Sequence, residues 1–171
     1  MTINRIMIFG RSGSGKSTFA LKLHQKLGFP VYHLDRYFFV QNWQERDYQE
    51  FMDIQQKLVA QEQWIIDGTQ VKSLETRYQR ADVCIYFNYP FWRCLWRIVK
   101  RRLRKDSRIL DRAEGCPEKI AWKLIVYTWR FRERVQGATA NLRQKYPDVQ
   151  FIEVRSDQDL PGVMETLIKM R

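Results

Sequence analysis

Ile6-Met7-Ile8-Phe9-Gly10-Arg11-Ser12-Gly13-Ser14-Gly15-Lys16-Ser17-Thr18 is the stretch on which the reading of this chain turns. Its four leading apolar residues read as a short buried strand. From Gly10 to Ser17 the residues match G-x-x-x-x-G-K-[ST] without a gap, the Walker A phosphate-binding pattern. Glycines let the backbone curl so that several N–H groups point inward at phosphate oxygens. A helix opening at Lys16 presents its positive N-terminal end to the same anion. In that arrangement Lys16 reaches the β- and γ-phosphates, and the Ser17 hydroxyl binds Mg²⁺. Gly10, Arg11, Ser12, Gly13, Ser14, Gly15, Lys16, Ser17 and Thr18 are therefore the candidate residues for binding ATP. A chance glycine-rich turn would have to explain both the full match and its place between a strand and a helix.

Working outward, short apolar runs alternate with longer amphipathic stretches. Strands are expected over 6–9, 31–34, 64–66, 83–87 and 149–154. Helices are expected over 16–27, 48–61, 73–79, 92–104, 118–145 and 160–170. Gly28 and Pro30 stop the first helix, since helix ends favour Gly followed by Pro. In the second, Phe51, Ile54, Leu58 and Val59 fall at helical spacing. Residues 106–117 contain Asp, Ser, Gly and Pro without a period and read as a loop. Five βα units in succession predict an α/β fold, a parallel sheet with helices on both faces. In such sheets ligands sit beyond the carboxyl ends of the strands.

The chain has 171 residues, a length that suits a single domain with a real core. No apolar run is long enough for a membrane span, and the N-terminal run is too short for a signal peptide. Cys84, Cys94 and Cys116 form no CxxC pair, which suggests reduced thiols in a cytoplasmic protein and argues against a zinc site. The net charge is +11, and residues 93–134 alone hold 14 Lys/Arg against 5 Asp/Glu. Such a segment calls for a polyanionic partner: nucleotide phosphates, nucleic acid or an acidic surface.

The residues that follow the strands carry the remaining chemistry. Asp67-Gly68 closes Trp64-Ile65-Ile66, where a carboxylate can hold Mg²⁺ or a metal-bound water; the plainer reading is a turn aspartate. His33-Leu34-Asp35-Arg36 closes the second strand. Asp35 is placed to accept a proton from a substrate hydroxyl or to orient Mg²⁺, and Arg36 to grip an acceptor anion; the alternative is a capping Asp and a solvated Arg. His33 reads as structural. Arg97 and Arg101 share one face of the basic helix, and arginine suits phosphate because its planar fork donates two hydrogen bonds at once. Cations there would stabilise the charge spread over a transferring phosphoryl group. Trp92, Trp96, Trp122 and Trp129 interleave with these cations; basic plus aromatic is a footprint for single-stranded nucleic acid, but at helical spacing core packing is the expectation.

Together these features resemble the adenylate kinase-like P-loop enzymes, through the phosphate loop, the Asp67-Gly68 pair and Arg97-Ile98-Val99-Lys100-Arg101-Arg102. The chain is more similar still to the bacterial topology modulation (FlaR-related) P-loop kinases. That likeness rests on His33-Leu34-Asp35, Trp43, Trp64-Ile65-Ile66-Asp67-Gly68, Arg77, Arg80-Ala81-Asp82 and Ala113-Glu114-Gly115-Cys116-Pro117-Glu118-Lys119. The resemblance implies a five-stranded sheet in the order 2-3-1-4-5 and a short Arg-rich lid at about 104–118. It implies that Arg97 and Arg101 contact ATP, and that Gly68 and Arg77 lie on the acceptor side with Asp35 and Arg36. Where adenylate kinases continue Asp-Gly with Phe-Pro-Arg, this chain has Thr69-Gln70-Val71, so the acceptor site is not that of an adenylate kinase. The topology modulation group has Asn where this chain has Thr69.

The leading expectation is an ATP- and Mg²⁺-dependent kinase acting on a small acceptor, with Lys16, Asp35, Arg97 and Arg101 as its catalytic residues. The alternative is an ATP-binding, nucleic-acid-associated protein, suggested by the basic segment and by the family's name. A third is an ATP-binding regulator without transfer activity. The sequence names neither the acceptor nor the oligomeric state.

Overall fold

A computed structural model describes residues 2–104 and 122–171. The loop at 106–117, most of the expected lid, Cys116 and the 113–119 run lie outside the described residues.

The first strand, β1 (Arg5–Gly10), becomes the centre of a five-stranded sheet. It is followed by α1 (Lys16–Leu27), β2 (Val31–His33), α2 (Leu34–Phe38), β3 (Phe39–Val40), β4 (Gln44–Glu45) and α3 (Tyr48–Val59). Then come β5 (Trp64–Gly68), α4 (Leu74–Tyr78), β6 (Val83–Phe87), α5 (Phe91–Arg104), α6 (Trp122–Lys145), β7 (Gln150–Val154) and α7 (Leu160–Lys169). The sheet runs β2-β5-β1-β6-β7 with every pair parallel. Counting only its own strands in chain order, that is the expected 2-3-1-4-5.

The alternation of side chains along each strand sorts the core into two halves. Ile6, Ile8, Ile65 and Ile85 face one way, onto Phe19, Leu23 and Leu27 of α1 and Leu167 of α7. Met7, Phe9, Trp64 and Ile66 face the other way, onto Phe51 and Leu58 of α3, Tyr78 of α4 and Phe131 of α6. Both faces are covered, so the strands read as unbroken apolar runs, and each fully buried side chain contributes about 1.5–3 kcal/mol.

Local signals set the ends. Gly28 adopts φ +78° and its N–H closes on the His24 carbonyl at 2.7 Å, which ends α1. Asp47 caps α3 by accepting from the Glu50 N–H at 3.0 Å. Several expectations change. The second strand stops at His33, because Leu34 already begins a one-turn helix. The strand expected over 64–66 runs on through Asp67 and Gly68. The β3–β4 hairpin is unforeseen; its strands are two residues each, too short for any period, and its turn holds Asn42 and Trp43 at positive φ. Trp92, Trp96 and Trp129 are not core: they stand 69%, 59% and 55% exposed, since Cys94 and Ile98 occupy the buried face of α5 and Phe131 and Val135 that of α6. Cys84 and Cys94 are free and buried, and burial raises both thiols above the ordinary range. No described helix is long and apolar enough to cross a membrane.

Asp82 pins the start of the sheet. Its carboxylate accepts from the Asn4 and Arg5 N–H groups at 2.8 and 2.9 Å and from Arg5 Nη2 at 2.7 Å. Burial alone would raise this carboxyl, but those hydrogen bonds hold it below its ordinary value. The folded value lies below the unfolded one, so the contribution is full above the unfolded value and lost as pH falls through the folded value. Asp82→Ala is expected to cost about 2 kcal/mol at neutral pH, and in urea titrations the gap between variant and wild type should shrink under acid conditions.

Candidate active site

The loop between β1 and α1 is wedged between the end of β6 and the first turns of α5. A Cβ on Gly10 would lie 2.7 Å from the Cβ of Phe87. Gly13 has φ +78°, and a Cβ there would lie 2.5 Å from the Cys94 carbonyl oxygen. Backbone stands in the way, so only glycine fits. Within the loop the Ser14 N–H donates to the Arg11 carbonyl at 3.2 Å, and the buried Lys16 turns its Nζ back toward the same carbonyl at 3.5 Å. The Arg11 guanidinium points away from the loop's mouth and donates to the Tyr89 carbonyl at 2.6 Å. Its backbone belongs to the phosphate loop; its side chain ties that loop to the β6–α5 turn.

Asp67 stands at the carboxyl end of β5, beside Ile8 in register. It shares the strand face of Ile65, the face that meets α1. It is therefore aimed at Ser17, whose hydroxyl donates to Asp67 Oδ2 at 2.6 Å. The other oxygen, Oδ1, lies 2.5 Å from His33 Nδ1. Both side chains are buried. A hydroxyl and a carboxylate converging beside a phosphate loop are hard oxygen donors of the kind Mg²⁺ takes, alongside waters and phosphates. The residues present fit that ion. Among the described residues no cluster of three or more His, Cys, Asp and Glu forms a separate metal site.

Arg97 sits at the rim of the loop. Its Nη1 donates to the Ser14 carbonyl at 2.9 Å, and its Nη2 reaches both oxygens of Asp157, at 2.8 and 2.6 Å. Asp157 follows β7, and it also accepts from Arg93 Nη2 at 2.6 Å and the Tyr89 hydroxyl at 2.9 Å. Both guanidiniums lie over the Tyr89 ring. Burial would raise the Asp157 carboxyl; the hydrogen bonds from Arg97 and Tyr89 outweigh it and hold it below its usual value. Between this cluster and α7 runs a groove of about 680 Å³, lined by Ser14, Thr18, Phe19, Arg97, Asp157 and Pro161 among others. Sequence reading found Arg97 and missed Asp157, whose only local signal is the Ser156/Asp159 capping box around it. Arg101 lies one turn further along α5, half-buried.

On the other side of the loop, Asp35, the second residue of α2, accepts from Thr69 Oγ1 at 3.4 Å. Tyr127 of α6 donates to the Thr69 carbonyl at 2.7 Å. Gly68 packs against Leu34, whose Cβ would lie 2.8 Å from a Cβ there. Arg36 points to solvent and is not gathered with these groups. Arg77 is fully buried on α4. Its Nη2 donates to the Gln70 carbonyl at 2.7 Å, while its Nε and Nη1 have no partner among the described residues. Burial lowers this guanidinium to about 10, with Cys84, Asp35 and Asp67 pulling the other way, so it stays charged at neutral pH.

No protein-family model matches the chain, and no curated protein matches it. Solved structures do. Shikimate kinase from Acinetobacter baumannii in complex with shikimate superposes with a TM-score of 0.60 at 13% identity, over 99% of this chain and 93% of that one. A gluconokinase from Sinorhizobium meliloti 1021 gives 0.58 at 14% identity, over 98% and 90%. Deoxyadenosine kinase from M. mycoides with bound dATP gives 0.53 at 16% identity, over 96% and 98%. The chain has the fold of the small P-loop kinases.

Proposed function

We propose that this protein is a kinase that moves the γ-phosphoryl group of ATP to a hydroxyl of a small acceptor. The observation that carries the reading is the convergence of Lys16, the Ser17–Asp67 pair and Arg97 on one loop. The triphosphate lies in the loop, and the groove between Arg97, Asp157 and Pro161 takes the base. When bound, Mg²⁺ at Ser17 and Asp67 neutralises phosphate charge. Lys16 and Arg97 supply fixed positive charge where the transition state carries negative charge. Arg101, one turn further along α5, adds to that charge. The acceptor oxygen bonds to phosphorus as the bond to the ADP oxygen breaks, and its proton passes to Asp35.

The acceptor lies on the side of Asp35, Gly68 and Arg77. The buried positive charge of Arg77 on that side favours an acceptor with an anionic group. The three kinases of the same fold act on or bind, by their names, shikimate, deoxyadenosine and gluconate-type molecules. None of these is assigned to this chain.

Two substitutions test the scheme in a screen of radiolabelled ATP against nucleosides, monophosphates, sugars and hydroxy acids. Lys16→Ala should lower turnover by about 100-fold or more while circular dichroism shows an intact fold; unchanged turnover removes the mechanism. Asp35→Asn should lower kcat by about 100-fold or more and leave the affinity for ATP unchanged. A loss of ATP affinity would place Asp35 on the donor side instead.

A second property is favoured by a separate observation. Trp92 and Trp129 stand exposed against Phe91, and Lys100 covers the exposed Trp96 at 4.4 Å. Exposed rings among cations suit a single-stranded nucleic acid. A dT oligonucleotide should quench the tryptophan fluorescence, with log K falling steeply against log salt. A shallow slope, or equal binding by Trp92→Ala, excludes it.

A further inference from the structure

His33 reads from sequence as a structural residue at the end of a strand. The structure gives it a more definite place. β2 pairs with β5 in parallel, and the register sets His33 directly beside Asp67. Side chains of paired residues in neighbouring strands project from the same face, so both lie on the α1 side and both are buried. An ionised carboxylate only accepts hydrogen bonds, so the 2.5 Å contact places the proton on His33 Nδ1. The two oxygens of Asp67 are thereby divided: Oδ1 takes the imidazole N–H and Oδ2 takes the Ser17 hydroxyl.

The division has a mechanical consequence. The terminal torsion of an aspartate is broad, and a single hydrogen bond through Oδ2 leaves the carboxylate plane poorly defined. The second bond comes from a rigid ring on a neighbouring strand, so it fixes the plane relative to the sheet and not merely relative to Ser17. Metal-binding carboxylates depend on such outer partners for their orientation.

We infer that His33 is a positioning residue, orienting the Asp67 carboxylate so that Oδ2 and the Ser17 hydroxyl together face a nucleotide-bound Mg²⁺. The inference rests on the reading of Ser17 and Asp67 as the metal side of the ATP site. It also gives the β2–α2 junction a double task. His33 aligns the metal-side carboxylate, and Asp35, two residues on, stands at the acceptor.

The test is calorimetric binding of a non-hydrolysable ATP analogue to the full chain, with Mg²⁺ and with EDTA. His33→Leu removes the donor, His33→Asn keeps an N–H at the height of Nδ1, and His33→Gln moves it outward. In His33→Leu the affinity gained from Mg²⁺ should fall by about 10–100-fold, while the affinity in EDTA stays at the wild-type value. His33→Asn should restore most of the gain. Wild-type Mg²⁺ dependence in a folded His33→Leu overturns the inference. So does an equal loss with and without Mg²⁺, which is what a purely structural role predicts, and so does failure of His33→Asn to restore anything. If melting shows His33→Leu unfolded, the comparison passes to Asn and Gln; equal Mg²⁺ dependence in those two overturns the inference. Asp67→Asn separates it from the reading beneath it. If Asp67→Asn keeps the Mg²⁺ gain, the metal site itself is wrong. If Asp67→Asn loses it and His33→Leu does not, only the role of His33 is wrong.

Discussion

The close approach of the phosphate loop to its neighbours is the constraint on which the rest of the structure depends. Gly10 lies against Phe87, and Gly13 lies against the Cys94 carbonyl. Neither contact leaves room for a side chain. The loop is thus held by three elements at once: the strand that leads into it, the end of the neighbouring strand, and the helix that crosses it. Arg11 adds a fourth tie, to the Tyr89 carbonyl. A loop held this way keeps its N–H groups in place without a ligand, which is the preorganisation that electrostatic catalysis requires.

The charges around the loop are arranged by distance from it. Lys16 is buried within it, Arg97 sits on its rim, and Arg93 stands further out. Asp157 binds both of those arginines. Without that carboxylate, two guanidiniums would repel each other over a single tyrosine ring. With it, Arg97 is held at a fixed height above the loop at the edge of the groove. Its exposed partner limits what the pair adds to stability. Its value lies in where it keeps the cation.

Much of this was legible in the sequence because it is local. The loop is contiguous, the strands that lead into it and flank it carry apolar runs of three to five residues, and Gly28 marks the end of α1. Asp67 and Arg97 could be named because each follows or lies on a recognisable element. What was not legible is register and facing. His33 meets Asp67 across 34 positions only because two strands pair at one offset and not the next. Asp157 meets Arg97 across 60 positions, from a one-turn helix whose capping box says nothing of that partner. Trp92, Trp96 and Trp129 were misread for a related reason: spacing shows that residues share a helix face but not whether that face meets the sheet. The β3–β4 hairpin was missed because two-residue strands have no period to detect.

The contact between Gly13 and Cys94 also makes α5 a lever. The helix has 14 residues, about 21 Å at 1.5 Å per residue. Its fulcrum is at one end, where the carbonyl of Cys94 rests on the loop. From Cys94 to the end of the helix is ten residues, about 15 Å, so a turn of 5° about that point carries the far end roughly 1.3 Å. Small changes in the shape of the loop are thereby amplified along α5. Volume changes at Cys94 or Ile98 should be felt most strongly at the last turn of α5.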